Sequence, residues 1–175
     1  ALVDLGHSQP WRTLPMLTTR ELFIIKSNPD LLRRYAAGDE AQRRTLLAAE
    51  VAATPLPTVE AFGHRPRAVD TVEWFASPED ICHAWVALRR LASMPGLEPM
   101  GEILGATRDA ILDRNQLTTV WSKGGAEPGV SFVTWYAERP DGRLVVVAGG
   151  VADPVTNVEE NATLVQLLAR ALTLE

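Results

Sequence analysis

The chain has 175 residues, of which 46% are apolar and 22% are charged, and its formal net charge is -5. This composition is typical of a globular domain and excludes the collagen-like, coiled-coil and disordered classes. The 22 acidic residues outnumber the 17 basic ones, and the basic residues form no run longer than a pair. We therefore expect no nucleic acid partner, because phosphate binding needs a concentrated positive surface.

The length and the cysteine and histidine content narrow the possibilities further. A chain of 175 residues buries roughly 70% of the surface that its unfolded form exposes, which is enough for one domain. Its apolar runs are shorter than the 18 or more residues of a membrane span, so no membrane span is predicted. The single cysteine, Cys82, excludes an internal disulfide and a zinc site of paired cysteines. His7, His64 and His83 lack the spacing of metal ligands, and we predict neither a metal nor another cofactor.

Capping patterns predict where the helices of residues 1–112 begin. Residues 1–16 indicate a short apolar segment and a proline-containing loop. Thr18 and Glu21 form a capping box, in which each side chain binds the backbone amide of the other, before an apolar run. Ser77 and Asp80 repeat this pattern, with a proline at the first helical position. Further helices are expected at 31–37, 39–53 and 100–112.

A long segment without regular periodicity separates these helices. Residues 54–73 contain three prolines and a glycine. Loops of this length are uncommon in compact domains and are usually functional or mobile. Glu60 is the main glutamate of this loop that we consider for a chemical role.

The last third of the chain changes to the pattern of strands. Aromatic and β-branched runs predict strands at 117–122, 130–137 and 144–148. Arg139-Pro140-Asp141-Gly142 predicts the turn between the second and third strands. Asn157 and Glu160 form a further capping box before an apolar stripe, which predicts a C-terminal helix over 157–173.

These elements predict one domain of the α+β class over residues 1–175. Residues 1–112 are expected to be mainly helical, residues 117–148 to form an antiparallel meander, and the helix 157–173 to pack across the sheet. Core or sheet-face packing, and not a ligand cage, is the role that we expect for Trp74, Trp85, Trp121 and Trp135. A sheet of three strands leaves its edges without partners. We therefore expect further strands from residues that precede Ala1 in a longer protein.

Glycines and a lysine cluster between the first two predicted strands. The segment reads Trp121-Ser122-Lys123-Gly124-Gly125-Ala126-Glu127-Pro128-Gly129-Val130. Glycines let another group approach the backbone closely, and the lysine adds a positive charge there. From these residues alone, a long hairpin loop with a solvated lysine is the commoner explanation. A binding or catalytic site at a strand end is the alternative.

Three motifs carry a resemblance to a known family. In chain order they are Leu17-Thr18-Thr19-Arg20-Glu21-Leu22-Phe23, Glu73-Trp74-Phe75-Ala76-Ser77-Pro78 and Trp121-Ser122-Lys123-Gly124-Gly125-Ala126-Glu127-Pro128-Gly129. They resemble the class A β-lactamase-related serine hydrolases, and the likeness extends over the whole chain. It implies the three-layer αβα fold of β-lactamases and penicillin-binding transpeptidases. It also implies acyl transfer through an acyl-serine, with a β-lactam, an ester or a peptide-like small molecule as substrate.

The resemblance assigns roles to the glycine-rich segment. Lys123 stands where the family has the lysine of its lysine, threonine or serine, glycine motif. The backbone N–H of Ala126 stands where the family has one half of its oxyanion hole, so both residues are expected to be catalytic. Gly124, Gly125 and Glu127 occupy expected substrate-binding positions. Gly124 departs from the family because it has no hydroxyl for a substrate carboxylate, which argues against recognition of an ordinary β-lactam.

The serine nucleophile of the family has no counterpart in this sequence. None of the six serines is followed by lysine three residues later, and none precedes Asp-Asn. In the family both motifs lie upstream of the matching region. The chain is therefore expected to be the C-terminal part of a longer hydrolase and to be inactive alone. Its expected partners are the N-terminal segment of that protein or a second copy of itself.

A non-catalytic binding or interaction module with the same fold is the alternative function. Gly124 supports it, because the hydroxyl of the family motif is lost. Glu60 supports it as well, because Ala61-Phe62-Gly63 follows it instead of the family's leucine and asparagine. An activated deacylating water is therefore not predicted for this loop.

Overall fold

The computed structural model describes residues 2–106, 116–158, 162–172 and 174. Its helices are α1 (Pro10–Thr13), α2 (Thr19–Ser27), α3 (Pro29–Ala37), α4 (Glu40–Leu46), α5 (Val59–Phe62), α6 (Pro78–Ala92), α7 (Pro99–Gly105) and α8 (Ala162–Ala171). Its strands are β1 (Thr119–Glu127), β2 (Val130–Glu138) and β3 (Leu144–Ala152). The α+β class is confirmed. The end of the helix predicted to reach residue 112, and the capping partner Glu160, lie outside the described residues.

The predicted caps begin the helices that they were expected to begin. The hydroxyl of Thr18 accepts from the N–H of Glu21, and the Glu21 carboxylate accepts from the N–H of Thr18. Ser77 and Asp80 form the same reciprocal pair at the start of α6. The helix predicted over 39–53 begins as expected but ends in a π-helical turn at Leu47–Val51.

The sheet is antiparallel, and its strands lie in the order β1-β2-β3. The glycine-rich segment was predicted between two strands, and the explanation as a long loop is wrong because Lys123 to Glu127 belong to β1. Only Pro128 and Gly129 connect β1 to β2. Glycine has low strand propensity, so propensity alone does not predict this part of β1. Its partners Phe132 and Val133 on β2 have strong strand propensity.

Close approaches explain why glycine occurs at the turn and in β3. Gly129 has a φ of +87°, and a Cβ there would lie 2.5 Å from the carbonyl oxygen of Asp153. A Cβ on Gly150 would lie 2.5 Å from a ring carbon of Phe132. Both distances are too short for a side chain. Because Gly150 avoids this clash, β3 can continue past its predicted end at residue 148.

Helices cover both faces of the sheet, which gives three layers. Val120, Trp135 and Ala137 pack with Leu172 of the C-terminal segment on one face. The other face packs mainly against α6 and α7. There the sheet residues Trp121 and Tyr136 cluster with Trp85 of α6. A separate cluster fills the helical part, and it includes Leu22, Ile25, Leu31, Tyr35 and Val51.

Two further expectations concern Trp74 and membrane contact. Trp74 is not a core residue, because it is 41% exposed, and its indole N–H donates to the carbonyl of Leu17 at 2.8 Å. The amphipathic indole satisfies its polar end on the backbone while part of the ring stays in water. Among the described residues, no helix is long and apolar enough to cross a membrane.

Candidate functional site

Strand β1 carries all five residues that the sequence assigned to the site. Side chains alternate along a strand, so Lys123, Gly125 and Glu127 share the face of Trp121, on the side of α6 and α7. The Lys123 side chain is exposed, and its Nζ donates to the carbonyl oxygen of Gly124 at 2.5 Å. The structure therefore places a cation over the surface of an extended backbone.

The register determines where the backbone groups of β1 point. Asp153 donates its N–H to the carbonyl of Gly129, so odd-numbered residues of β2 bond to β3 because hydrogen-bonded pairs alternate along an antiparallel ladder. Even-numbered residues of β2 therefore bond to β1, where odd-numbered residues oppose them. Gly124 and Ala126 are even-numbered. Their N–H and C=O groups point away from β2, toward an edge that no other strand covers within the described residues.

Gly125 faces open space, and the neighbouring strand β2 is fixed by packing. A Cβ at this position would meet no atom within 4 Å. Thr134 lies opposite Lys123 on β2, is buried, and accepts a hydrogen bond from the indole N–H of Trp85 at 2.8 Å. An extended ligand can therefore lie against β1 at Gly125 without displacing a side chain, while the strand beneath is fixed by packing.

The arrangement suits the stabilisation of negative charge. An outward N–H at Ala126 can donate to an oxygen that becomes negative, and the ammonium of Lys123 can pair with a carboxylate or lower the pKa of a nearby hydroxyl. These groups bind and polarise but do not attack. The nucleophile of an acyl transfer would have to come from another part of the protein.

A buried ionic cluster at the end of β1 was missed by the sequence analysis. The Nζ of Lys26, from the end of α2, donates to the Oε1 atoms of both Glu73 and Glu127. The Lys26 side chain is fully buried, and those of Glu73 and Glu127 are 12% and 11% exposed. We call these three residues the Lys26 cluster. The available signal was a lysine directly after the apolar run Leu22 to Ile25, on the same side of the helix as Leu22.

Burial dominates the electrostatics of the Lys26 cluster. Burial and then the neighbouring Glu73 carboxyl raise the pKa of Glu127, Lys26 acts in the opposite direction, and the net pKa is about 8. The raised pKa favours the protonated form of Glu127.

The structure buries most of the Glu127 carboxyl, which was expected at the open surface of the site. Glu127 was expected to contact substrate, but its carboxyl is turned to Lys26 and Glu73 and is mostly buried. Glu60 lies in α5 and is exposed, and its own backbone N–H and then the hydroxyl of Thr58 lower its pKa. The glutamate at the end of the predicted loop that reaches β1 is Glu73.

A second polar cluster lies at the N-terminus of α6, around a cavity of about 240 Å³. Ser8 donates both its N–H and its hydroxyl to the Asp80 carboxylate, at 2.7 and 2.8 Å. Burial opposes ionisation of Asp80, but hydrogen bonds from Ser77 and Ser8 hold its pKa below the ordinary value. His7 contacts the carbonyl of Phe75 at 2.8 Å and the N–H of Gln9 at 3.1 Å. A serine nucleophile needs a neighbouring base such as histidine. The hydroxyl of Ser8 is bonded to a carboxylate instead, so Ser8 does not have the geometry of a nucleophile.

Comparison with known proteins supports the fold. No family model matches the chain, and sequence comparison with curated proteins finds no match. Among solved structures, the chain is similar to a β-lactamase from Streptomyces albus G, with 20% identity and a TM-score of 0.50. The match covers 91% of this chain and 65% of that β-lactamase. At this identity the likeness concerns the fold alone: the helices, the antiparallel sheet and the C-terminal helix form a β-lactamase-like α+β structure.

Proposed function

We propose that this chain is the C-terminal part of a class A β-lactamase-like serine hydrolase. It would act by acyl-serine transfer on β-lactam, ester or peptide-like substrates. The nucleophilic serine and its lysine would come from residues outside this sequence. The similarity in fold supports the proposal, and so do the three sequence motifs. The chain spans 65% of the β-lactamase that it matches, which leaves about a third of that protein without a counterpart here.

The observation that carries the proposal is the surface of β1 from Lys123 to Ala126. It combines an exposed ammonium, an open position at Gly125 and an outward N–H at Ala126. Acyl transfer places negative charge on the former carbonyl oxygen of the substrate. A donor fixed on a rigid strand stabilises that charge without reorganisation, and removal of one such donor typically slows catalysis by ~10² to 10³ fold.

The reaction would proceed in two steps, which are acylation of the serine and hydrolysis of the acyl-serine. The serine oxygen forms a bond to the substrate carbonyl carbon and loses its proton to a base, while the carbonyl oxygen becomes an oxyanion held by the N–H of Ala126. The oxyanion collapses, the bond to the leaving nitrogen or oxygen breaks, and the leaving group takes up a proton. Water then attacks the acyl-serine in the same way and releases the acid.

The side chains of this chain suggest which substrates fit. Lys123 can pair with a substrate carboxylate, but Gly124 offers no hydroxyl beside it. A carboxylate would therefore be bound by charge with little geometric control. Esters and amides that lack this carboxylate lose less at such a site, so we expect ester hydrolysis to be faster than penicillin hydrolysis.

The test compares this chain with the longer protein to which we propose that it belongs. We expect a Ser-x-x-Lys sequence upstream of Ala1 and a covalent adduct of the longer protein with a fluorescent penicillin, detected by intact mass. The 175-residue chain should stay unlabelled. Labelling of these residues by themselves would overturn the assignment of the nucleophile to another segment.

Matched variants of the longer protein locate the site. Lys123→Ala should abolish or strongly slow acylation. Arg90→Ala removes an exposed cation of α6 and should leave the rate within about twofold of the wild type, because solvated surface charges contribute little. Equal rates for the two variants would contradict a role for β1.

A non-catalytic module is the second candidate, and Gly124 is the observation that favours it. In that case no Ser-x-x-Lys would occur upstream of Ala1. The longer protein would then bind a penicillin or ester reversibly, by equilibrium dialysis, without forming an adduct.

A further inference from the structure

The Lys26 cluster joins three segments that are distant in sequence. Lys26 ends α2, Glu73 belongs to the segment before α6, and Glu127 is the last residue of β1. The two contacts of Lys26 span 47 and 101 positions. Glu127 directly follows Ala126, whose N–H points to the open edge of the sheet. The cluster is therefore the side-chain anchor next to that N–H.

We propose that Glu127 is a positioning residue for the Ala126 N–H. Its carboxyl shares one proton with that of Glu73, both carboxyls contact the ammonium of Lys26, and this anchor fixes the end of β1. This inference rests on the proposed function for the use of that N–H in acyl transfer. The shared proton and the anchoring of β1 are independent of it.

Charge and burial are the reasons for a shared proton. One ammonium contacts two carboxyl groups in a place that is almost closed to water. Two ionised carboxylates there would repel each other and leave the cluster with a net negative charge, whereas one proton between them removes the repulsion. A protonated carboxyl also donates a hydrogen bond, which an ionised one does not.

The surroundings of Glu127 contain few other charges. Lys26 faces it from α2 and Glu73 faces it from the segment before α6. Arg67 lies one contact further away, where its guanidinium donates to the backbone carbonyl of Lys26 at 3.1 Å. The partner of Glu127 on β2 is Val130, which carries no charge. The raised pKa of Glu127 agrees with this arrangement.

A second contact makes the end of β1 depend on the same segment. Pro66 packs on the turn that follows Glu127, where a Cβ on Gly129 would lie 2.7 Å from the Pro66 side chain. The segment that contains Pro66 and Glu73 thus rests on both Glu127 and the turn. If the carboxyl anchor is lost, β1 keeps its ladder to β2, but its last residue loses the contact that ties it to α2 and to the segment before α6.

The first test uses Glu127→Gln, which keeps the shape and hydrogen bonds of a protonated glutamate but cannot ionise. In the 175-residue chain, the wild-type melting temperature should fall by at most ~5 °C per pH unit between pH 5 and pH 8, from a raised folded pKa and the usual size dependence. The Gln variant should show a flatter profile and equal or exceed the wild type at pH 8. Glu127→Ala should melt lower at every pH.

Glu138→Gln is the matched control for this test. Glu138 also ends a strand, but it pairs with the exposed Arg89 at 2.8 Å, and its pKa is lowered by Tyr136 and Arg89. Its neutral variant should lose stability at pH 8 instead of gaining it. If Glu127→Gln destabilises the protein at pH 7 as much as Glu127→Ala does, the cluster needs an ionised Glu127 and the shared proton is wrong.

The second test measures the anchoring of β1 without any turnover. Hydrogen exchange of the Gly125 and Glu127 amides, which bond to β2 on either side of the outward Ala126 N–H, should be at least ~10-fold faster in Glu127→Ala, and Glu127→Gln should restore wild-type protection. Unchanged exchange in Glu127→Ala would overturn the positioning role. If the longer protein acylates, Glu127→Ala should lower kcat more than it changes KM, and Glu127→Gln should retain kcat within about twofold. If no acylation occurs, the proposed function fails while the melting and exchange results still decide this inference.

Discussion

Replacement of Lys26 by methionine tests the energetics of the Lys26 cluster most severely. Methionine has a similar length but no charge, so Lys26→Met leaves Glu73 and Glu127 without the ammonium that both contact. Removal of one partner from a buried ion pair typically costs ~3 to 5 kcal/mol because the remaining charge stays buried. The residual exposure of 12% and 11% for the two glutamates favours the lower part of that range.

The loss in Lys26→Met should depend on pH. A folded pKa above the unfolded value gives stability that is fully present below the unfolded pKa and is lost as pH rises through the folded pKa. For the wild type this window runs from the ordinary glutamate pKa to about 8 for Glu127, and its slope is at most ~1.4 kcal/mol per pH unit. Without the ammonium both carboxyls need protons to stay buried. The variant should therefore lose more stability at pH 8 than at pH 5.

Urea denaturation at the two pH values measures this loss. The fluorescence of the buried Trp85, Trp121 and Trp135 should report the transition. Arg33→Met is the control, because Arg33 and Asp30 form a pair whose side chains are 72% and 58% exposed, and such pairs contribute ~1 kcal/mol or less. If Lys26→Met loses no more stability than Arg33→Met at both pH values, the cluster does not hold the three segments together.

Three further predictions follow from glycine and cap geometry. Gly125→Val should leave the melting temperature within ~2 °C of the wild type, because its side chain enters open space, while it blocks acylation of the longer protein. Gly150→Val should cost ~1 to 3 kcal/mol or more, since its Cβ meets Phe132 at 2.5 Å; equal melting temperatures for the two glycine variants would contradict the described packing. Asp80→Asn should cost ~1 to 2 kcal/mol at pH 7, and the cost should shrink in acid because a lowered pKa gives stability that is lost as pH falls; a constant cost from pH 7 to pH 3 in urea denaturation would refute this.

Local chemistry was readable from the sequence. The capping boxes at Thr18 and Ser77 were predicted correctly because both partners of each box lie within four residues. The turn at Arg139–Gly142 was predicted correctly for the same reason, and Gly142 has the positive φ of +83° that favours glycine. The periodicities of helix and strand, taken together, were sufficient for the α+β class.

Contacts between distant segments were not readable in this way. The strand character of Gly124 and Gly125 depends on their partners in β2, and glycine itself indicates a loop. The Lys26 cluster depends on contacts across 47 and 101 positions, and nothing in the local pattern links a lysine of α2 to Glu127. Sequence patterns therefore located the cation and the glycines of the candidate site, while its buried anchor required the fold.

The central claim is that β1 supplies the Ala126 N–H and the Lys123 ammonium to an acyl-transfer site. The most direct measurement is the acylation rate of the longer protein with a fluorescent penicillin, compared between wild type and Ala126→Pro. Proline removes the N–H, and an edge strand tolerates this where the N–H points away from its neighbour. We predict a rate lower by ~10² to 10³ fold, with sheet content unchanged by circular dichroism. An unchanged rate in a folded Ala126→Pro variant would contradict the claim.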